Sequence, residues 1–169
     1  MLHVLAHPAA RLAHDCSVTD RLAEGAFQKL ASGDTARDIA EAQHMLEIRR
    51  HRVFKLKIGA NPVDQDLKHV VAIKRELGER ASVRVDVNQY WDESQAIRAC
   101  QVLGDNGIDL IEQPISRHNR GGQVRLNQSS PAPIMADESI ECVEDAFNLA
   151  RDGAAPVFAL KIAKNGGPR

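Results

Sequence analysis

The alternation of helical and strand segments from about residue 34 onward constrains this chain more than any other feature. Short apolar segments alternate with longer ones whose apolar residues recur at helical spacing, as Val63, Leu67 and Val70 do. Regular alternation of strand and helix predicts an α/β fold with a parallel sheet and right-handed crossovers. Because the strands are apolar along most of their length, both faces of the sheet should be covered. The predicted strands are RVFKLKIG, ASVRVDVN, IDLIEQP, APIMADES and PVFALKIAK.

Capping residues predict where the helices begin and end. A short helix is also predicted for GGQVRLNQSS, after the third of these strands. The expected N-terminal caps are Thr35 (in a capping box with Asp38), Asn61 before Pro62, Asp92 and Ser139, and the expected terminating glycines are Gly78 and Gly153.

Residues 1–29 differ from the rest of the chain. They are rich in Ala, Leu, His and Arg and show no clear strand pattern. We therefore predict an atypical, poorly ordered leader over residues 1–29 and a domain over residues 30–169.

Charge and cysteine content exclude several classes of partner. The formal net charge is -1, which gives no electrostatic reason to expect nucleic acid or an anionic membrane. No apolar run approaches the roughly 18 residues of a membrane span, and the N-terminus lacks the apolar core of a signal peptide. Cys16, Cys100 and Cys142 are odd in number and widely spaced, which is typical of a reducing compartment. We therefore expect a cytoplasmic protein.

Polar side chains stand near the carboxyl end of every predicted strand. Counted from Lys57, the second lysine of the first strand, one polar residue near each later strand end follows at intervals of 29, 26, 25 and 24 residues. Each interval fits one strand, one helix and two loops, so we expect all of them at one level. In a (β/α)₈ barrel this edge of the sheet holds the active site. The residues are Lys55, Lys57, Asp86, Glu112, Asp137 and Lys161.

Three carboxylates are expected to converge at this edge. Asp86, Glu112 and Asp137 come from three consecutive strands, which lie about 4.8 Å apart in a sheet. Converging carboxylates repel and do not all stay ionised alone. A hard divalent cation such as Mg²⁺ or Mn²⁺ removes the conflict. Each carboxylate taken singly could also be solvated at the start of a loop, but three in register favour a metal site.

Lysines accompany the carboxylates. Lys55 and Lys57 are two residues apart and project from one face of their strand. If that strand is second in a barrel of eight, the strand that ends with Lys161 is sixth and lies opposite. A partly desolvated lysine near a cation has a lowered pKa and can act as a base at neutral pH. The alternative is that Lys161 and Lys164 only extend into solvent.

The motifs KLKIG, DVNQYW, LIEQP, MADES and LKIAKNGGP resemble the barrel motifs of the enolase superfamily, and within it those of the muconate cycloisomerase family. The resemblance runs from about Leu30 to Arg169. It implies a partial TIM-type (β/α)₈ barrel, with about strands two to six and their helices, and a bound Mn²⁺ or Mg²⁺.

The resemblance also implies a reaction and a role for each polar residue. The family interconverts cis,cis-muconate and muconolactone in catechol degradation, through a metal-stabilised enediolate and a lysine that transfers the proton. Its members are homo-oligomers that act on a small dicarboxylate. The matching positions are Asp86, Glu112 and Asp137 for the metal, Lys57 for proton transfer, Lys55 for polarising the site and Lys161 on the opposite face.

The chain departs from the family pattern in three respects. Nothing in residues 1–29 resembles the family's capping domain, the first barrel strand is at most a remnant near KLASG, and the chain stops after the sixth-strand motif. We therefore expect a fragment of the barrel with open sheet edges and little or no turnover. We interpret residues 1–29 as foreign sequence.

Other functions stay open at this point. Dipeptide epimerization and o-succinylbenzoate synthesis in the same superfamily use the same metal ligands and lysines. A half-barrel without catalytic activity is a second alternative. A Schiff-base aldolase that uses Lys161 is more distant, and borohydride trapping would test it.

Overall fold

Seven strands form one sheet in the computed structural model, which describes residues 2–5 and 27–161. Strands β2 to β7 are parallel and lie side by side in chain order, while β1 pairs antiparallel with β7. Consecutive parallel strands joined by helices are the arrangement of a (β/α) barrel, so the predicted α/β fold is confirmed. The strands are β1 (Leu2–Leu5), β2 (Gln28–Leu30), β3 (Val53–Lys57), β4 (Ser82–Asp86), β5 (Leu110–Glu112), β6 (Ile134–Ala136) and β7 (Val157–Leu160).

Helices connect the parallel strands, as the sequence predicts. The short helix predicted in GGQVRLNQSS is present as the fourth of them. A 3₁₀ turn at Gly78–Arg80 follows the second helix. The helices are α1 (Thr35–Glu47), α2 (Val63–Leu77), α3 (Glu93–Asp105), α4 (Arg120–Ser129) and α5 (Val143–Asp152).

The main core lies between the sheet and its helices. On β3, Phe54 and Leu56 are fully buried in this core, while Lys55 projects from the other face because strand side chains alternate. The helix α2 meets the sheet through residues at helical spacing, which are Leu67, Val70, Ile73 and Leu77. Burial of apolar surface stabilises the fold by about 25 cal/mol for each Å² removed from water. This packing holds the strands in place and so fixes where their carboxyl ends lie.

Strand register places the polar side chains at more than one level, which corrects the expectation of a single level. From β3 to β7 the paired positions are Lys57, Asp86, Glu112, Met135 and Val157. Asp137 lies two residues beyond this level and Lys161 four. A sheet that curls towards a barrel staggers its strands, so equal sequence intervals do not give equal heights.

The N-terminal residues contain a strand that the sequence pattern does not predict. Leu2–Leu5 pairs antiparallel with β7, so the expectation of no strand in residues 1–29 is wrong at this point. β2 begins at Gln28, inside the predicted leader, and matches the expected remnant near KLASG. Residues 6–26 lie outside the described part of the chain, and the division at residue 30 stays a prediction.

The capping box predicted for Thr35 and Asp38 is wrong because both side chains have other partners. Asp34, and not Thr35, caps α1 by accepting a hydrogen bond from the backbone N–H of Arg37 at 2.9 Å. Asp38 is buried and accepts from the backbone N–H of Ser32 instead.

The caps of α2 and α5 also differ from the expectation. Pro62 is the cap of α2, because the Asn61 side chain donates to Asp66 instead. Cys142 takes the place predicted for Ser139.

Three predicted helix ends agree with the structure. Asp92 caps α3 in a capping box, and α2 ends before Gly78. Gly153 ends α5 in the left-handed conformation, with φ 68°.

The thiols of Cys100 and Cys142 are free; Cys100 is buried and Cys142 is exposed. Cys16 lies outside the described residues. No helix among residues 2–5 and 27–161 is long and apolar enough to cross a membrane.

Candidate functional site

One lysine joins two carboxylates at the carboxyl ends of three adjacent strands. The ammonium of Lys55 donates to Glu112 Oε2 at 2.6 Å and lies 3.3 Å from Asp86 Oδ2. All three side chains are buried, and Glu112 is only 1% exposed. The register of β3, β4 and β5 brings them together, since Asp86 pairs with Glu112 and Lys55 projects from the same face. The predicted convergence of these residues is present.

Glu112 is a buried acid with a raised pKa. Burial and the neighbouring charge of Asp86 raise the pKa of Glu112 to about 7, although Lys55 acts in the opposite direction. Its Oε1 atom is buried and has no hydrogen-bond partner among the described residues. A buried carboxylate oxygen without a partner is costly, and a cation is the group that would compensate it best.

A second lysine pairs with the third carboxylate. The ammonium of Lys161 contacts Asp137 Oδ2 in a hydrogen-bonded ion pair. Burial lowers the pKa of Lys161, but Asp137, and further away Glu112 and Glu138, outweigh it and leave the pKa above its ordinary value. The expectation of a lowered pKa concerns a lysine beside a bound cation and stays a prediction; the neighbours of Lys161 in this structure are carboxylates, which raise its pKa.

Lys57 stands apart from both ion pairs. It is exposed, and no hydrogen bond or ion pair joins it to any residue in the described ranges. Its side chain lines a cavity of about 780 Å³ between the loop after β2 and the start of α2, together with Thr35, Asn61 and His69. None of the three carboxylates lines this cavity. Lys57 therefore faces open space in which a small molecule could be held, and the carboxylates do not border this space.

The backbone beside the carboxylates is strained. Asn88, Gln89 and Gln113 have positive φ angles of 49°, 68° and 37°, which non-glycine residues rarely adopt. Asn88 is held there by its backbone N–H, which donates to Asp86 Oδ1 at 3.3 Å, and by its side chain, which donates to Glu138 Oε1 at 3.0 Å. Such strain is retained where surrounding contacts over-determine the conformation.

No role is predicted for Gln113 from the sequence, yet the structure places it at the centre of the carboxyl edge of the sheet. Its side-chain amide accepts from the backbone N–H groups of Asp137 and Ser139. The only available signal was its position between a strand-terminal acid and Pro114, which does not reveal hydrogen bonds to a distant loop.

The donor set fits a hard divalent cation, but the side chains are arranged around ammonium groups. Among residues 2–5 and 27–161, no group of three or more His, Cys, Asp and Glu side chains has a metal-binding arrangement. Lys55 and Lys161 occupy the carboxylate oxygens instead. A bound cation would have to displace these ammonium groups, and the orphaned Glu112 Oε1 is the atom that could accept it first.

Comparison with known proteins gives consistent matches. A family model described as enolase C-terminal domain-like matches residues 37–169. Muconate cycloisomerase 1 of Pseudomonas putida is 91% identical over 140 residues, which are 83% of this chain and 37% of that protein. Chloromuconate cycloisomerase of Pseudomonas sp. (strain P51) is 50% identical over 138 residues, 82% of this chain and 37% of that protein.

Solved structures agree with this match. The structure of muconate lactonizing enzyme from Pseudomonas putida superposes with a TM-score of 0.83 at 89% identity, over 84% of this chain and 40% of that chain. A muconate lactonizing enzyme from Pseudomonas fluorescens complexed with muconolactone gives a TM-score of 0.83 at 80% identity, over 84% of this chain and 38% of that one. The chain thus spans about 37% of the length of the curated relatives that it matches.

Proposed function

The chain belongs to the enolase C-terminal domain-like family, and we propose that it carries the metal-binding and proton-transfer residues of a muconate cycloisomerase. The observation that carries the proposal is the pair of lysine–carboxylate contacts at the carboxyl ends of consecutive parallel strands. The reaction would interconvert cis,cis-muconate and muconolactone, so the protein would be an isomerase. Identity of 91% to a muconate cycloisomerase and 50% to a chloromuconate cycloisomerase favours the unchlorinated substrate.

Asp86, Glu112 and Asp137 would hold the divalent cation, either Mn²⁺ or Mg²⁺. Their hard oxygen donors suit both ions, and Glu112 has a buried oxygen without a hydrogen-bond partner in the described part of the chain. When bound, the cation supplies electrostatic stabilisation for the negative charge that develops on a substrate carboxylate.

Lys57 would transfer the proton. In lactonization, one carboxylate oxygen of the substrate forms a C–O bond with an alkene carbon, and the Lys57 ammonium gives its proton to the carbon alpha to the other carboxylate. In the reverse direction neutral Lys57 takes that proton back while the C–O bond breaks. An exposed amine that lines an open cavity and is not tied into an ion pair with a described residue suits this role.

Lys55 and Lys161 would position the carboxylates and not transfer the proton. Lys55 partly offsets the repulsion between Glu112 and Asp86, because its ammonium contacts both carboxylates. Lys161 does the same for Asp137 from the other side of the cluster. Each ammonium would also attract an anionic substrate towards this edge of the sheet.

The remaining parts of the proposal concern the surroundings of the site. We infer a small dicarboxylate as the ligand, a homo-oligomeric assembly and a cytoplasmic location, without nucleic-acid or membrane partners. Residues 30–169 would form the barrel domain and residues 1–29 a separate leader.

Metal binding tests the proposal directly. Mn²⁺ would be titrated into the purified chain, and the free ion followed by electron paramagnetic resonance. We expect Asp137→Asn to weaken binding roughly tenfold or more, because it removes a charged ligand. The matched control is Lys57→Met, which should bind Mn²⁺ as the unsubstituted chain does.

The ultraviolet absorbance of cis,cis-muconate supplies the second measurement. Any Mn²⁺-dependent loss of this absorbance should disappear in both Asp137→Asn and Lys57→Met. A folded chain that does not bind Mn²⁺, or that keeps its turnover in Lys57→Met, would contradict the proposal.

A further inference from the structure

We propose that Gln113 is a positioning residue, whose side-chain amide holds the loop after β6 so that Asp137 presents its carboxylate beside Glu112. The inference deepens the proposed function, because it names the group that orients one of the inferred metal ligands. It rests on contacts of Gln113 that are independent of any bound ion.

The Gln113 side chain uses both of its polar atoms. Its Oε1 accepts from the backbone N–H of Asp137 at 3.0 Å and from that of Ser139 at 3.1 Å. Its Nε2 donates to the backbone carbonyl of Ile115 at 3.0 Å. Gln113 is only 1% exposed, so water cannot replace these hydrogen bonds. One amide therefore ties the loop after β6 to the loop after β5.

The Gln113 backbone is fixed as firmly as its side chain. Its N–H donates to the carbonyl of Met135 on β6, and its carbonyl accepts from the N–H of Gln89 in the loop after β4, both at 2.8 Å. Its φ of 37° costs energy and directs the side chain across to the neighbouring loop. Three consecutive strand ends, which carry Asp86, Glu112 and Asp137, thus meet at this residue.

A positioning role follows from where Asp137 lies. It comes directly after β6 and two residues beyond the level of Glu112. The pairing of Ala136 with Phe158 restrains it from the side of β7. The Gln113 amide adds a restraint from the side of β5 by binding the Asp137 N–H itself. Groups that orient a metal ligand in this way typically change metal affinity by about 10- to 100-fold when they are removed.

Gln123 offers a matched control on the same edge of the sheet. It is also buried, at 3% exposed, and its Nε2 donates to the Ser116 carbonyl at 3.1 Å and to Ser139 Oγ at 2.9 Å. It reaches the Ser139 side chain, and its side-chain hydrogen bonds with the described residues do not include the Asp137 backbone. Gln123→Leu therefore removes buried hydrogen bonds of a glutamine near the same loop but leaves the Gln113 contacts intact.

Amide hydrogen exchange tests the inference without metal. In Gln113→Leu we expect the Asp137 and Ser139 amides to exchange about tenfold faster or more, since they lose their acceptor, while amides in β4 keep their rates. In Gln123→Leu the same two amides should change by less than about threefold. Gln113→Glu keeps both acceptor contacts and should leave these amides protected. Unchanged exchange in Gln113→Leu, or equal acceleration in all three variants, would overturn the inference.

Mn²⁺ affinity supplies the second readout. Gln113→Leu should weaken Mn²⁺ binding about tenfold or more, and Gln123→Leu by less than about threefold. Equal losses in both variants would overturn the link between Gln113 and the metal ligand. Failure of the unsubstituted chain to bind Mn²⁺ would instead contradict the proposed function. The amide exchange rates would still decide whether Gln113 holds the loop after β6.

Discussion

Two parts of the sheet support similar ion pairs in different surroundings. In the N-terminal region, residues 28–134, strands β2 to β5 and helices α1 to α4 share one continuous apolar cluster that runs from Leu30 to Ile134. In the C-terminal region, residues 135–161, six buried apolar residues form a separate, smaller cluster. Its helix α5 leaves Val143 and Phe147 62% and 72% exposed. The N-terminal region is thus a complete layered core, and the C-terminal region is covered on fewer sides.

The lysines of the two regions reflect this difference. The Lys55 side chain is 11% exposed and contacts two carboxylates, whereas the Lys161 side chain is 41% exposed and forms its ion pair with Asp137 alone. A charge pair that is screened by water contributes little to folding, but removal of one partner from a buried pair leaves a costly charge behind. Asp137 is itself buried, so the same chemical pairing should matter in both regions but more in the first, where the lysine is buried as well.

The largest expected effect is the loss of the buried lysine. Lys55→Met keeps the length of the side chain but leaves Glu112 and Asp86 buried without their shared counter-charge. We expect the free energy of unfolding, measured by urea titration, to fall by about 3–5 kcal/mol. The matched variant Lys161→Met should cost less, about 1–3 kcal/mol, because water reaches the lysine end of that pair, although the variant removes the counter-charge of the buried Asp137. Equal losses would show that the two pairs have the same surroundings.

Truncation of a core leucine compares the two apolar clusters. Leu103 on α3 is fully buried in the large cluster, and Leu149 on α5 is 3% exposed in the small one. Leu103→Ala should lower the free energy of unfolding by about 3–4 kcal/mol, since the packed cluster cannot collapse into the cavity. Leu149→Ala should cost about 2 kcal/mol, because a helix that is packed on fewer sides can shift inward. A larger loss for Leu149→Ala in urea titrations would contradict the comparison.

Glycine substitution tests how closely the two regions pack around their turns. A Cβ atom on Gly59, at φ 106°, would lie 2.7 Å from Tyr90 Cβ and 2.9 Å from the Val87 carbonyl oxygen. A Cβ on Gly153, at φ 68°, would meet nothing within 4 Å. Gly59→Ala should therefore reduce the free energy of unfolding by about 3 kcal/mol, through backbone strain and overlap together. Gly153→Ala should cost about 1 kcal/mol from strain alone. Thermal denaturation that ranks the two variants in the opposite order would refute this difference.

The sequence predicts the N-terminal region better than the C-terminal one. Lys55, Asp86 and Glu112 follow from strand alternation and even spacing, because β3 to β5 pair in register at their carboxyl ends. Asp137 and Lys161 lie beyond that level, since the stagger between strands depends on how the whole sheet curls. The residue pattern within a single strand contains no information about this stagger.

Long-range pairing and competition between neighbouring polar groups explain the other differences. β1 forms because it pairs with β7, about 150 residues away along the chain. A four-residue segment has too short a residue pattern to predict a strand by itself. Asp34 caps α1 in preference to Thr35 because the Thr35 hydroxyl lies 2.8 Å from His69 Nδ1 on α2. The Gln113 hydrogen bonds likewise depend on a loop more than 20 residues ahead. Each of these choices is decided by tertiary contacts and not by residue type.

Near neutral pH the smallest expected effect on stability comes from the cysteines, which differ between the regions as the lysines do. Burial raises the pKa of Cys100 on α3 to about 12 from an ordinary value of 9.0, although a hydrogen bond with Ser130 acts in the opposite direction. The folded state therefore keeps its proton at a pH where the unfolded chain releases it. Stability should fall as the pH rises from about 9 towards 12, and Cys100→Ala should lack this component of the decline.

Alkylation at pH 8 separates the two thiols without unfolding the protein. The thiolate is the reacting form, so Cys100 should be modified by iodoacetamide at least about 100-fold more slowly than the exposed Cys142. Peptide mass spectrometry would follow both sites, with the urea-unfolded chain as the control in which the two rates converge. Modification of Cys100 as fast as the exposed Cys142 in the folded chain would mean that the large cluster opens readily around Cys100. The buried support of Lys55, Asp86 and Glu112 would then be no firmer than that of Lys161.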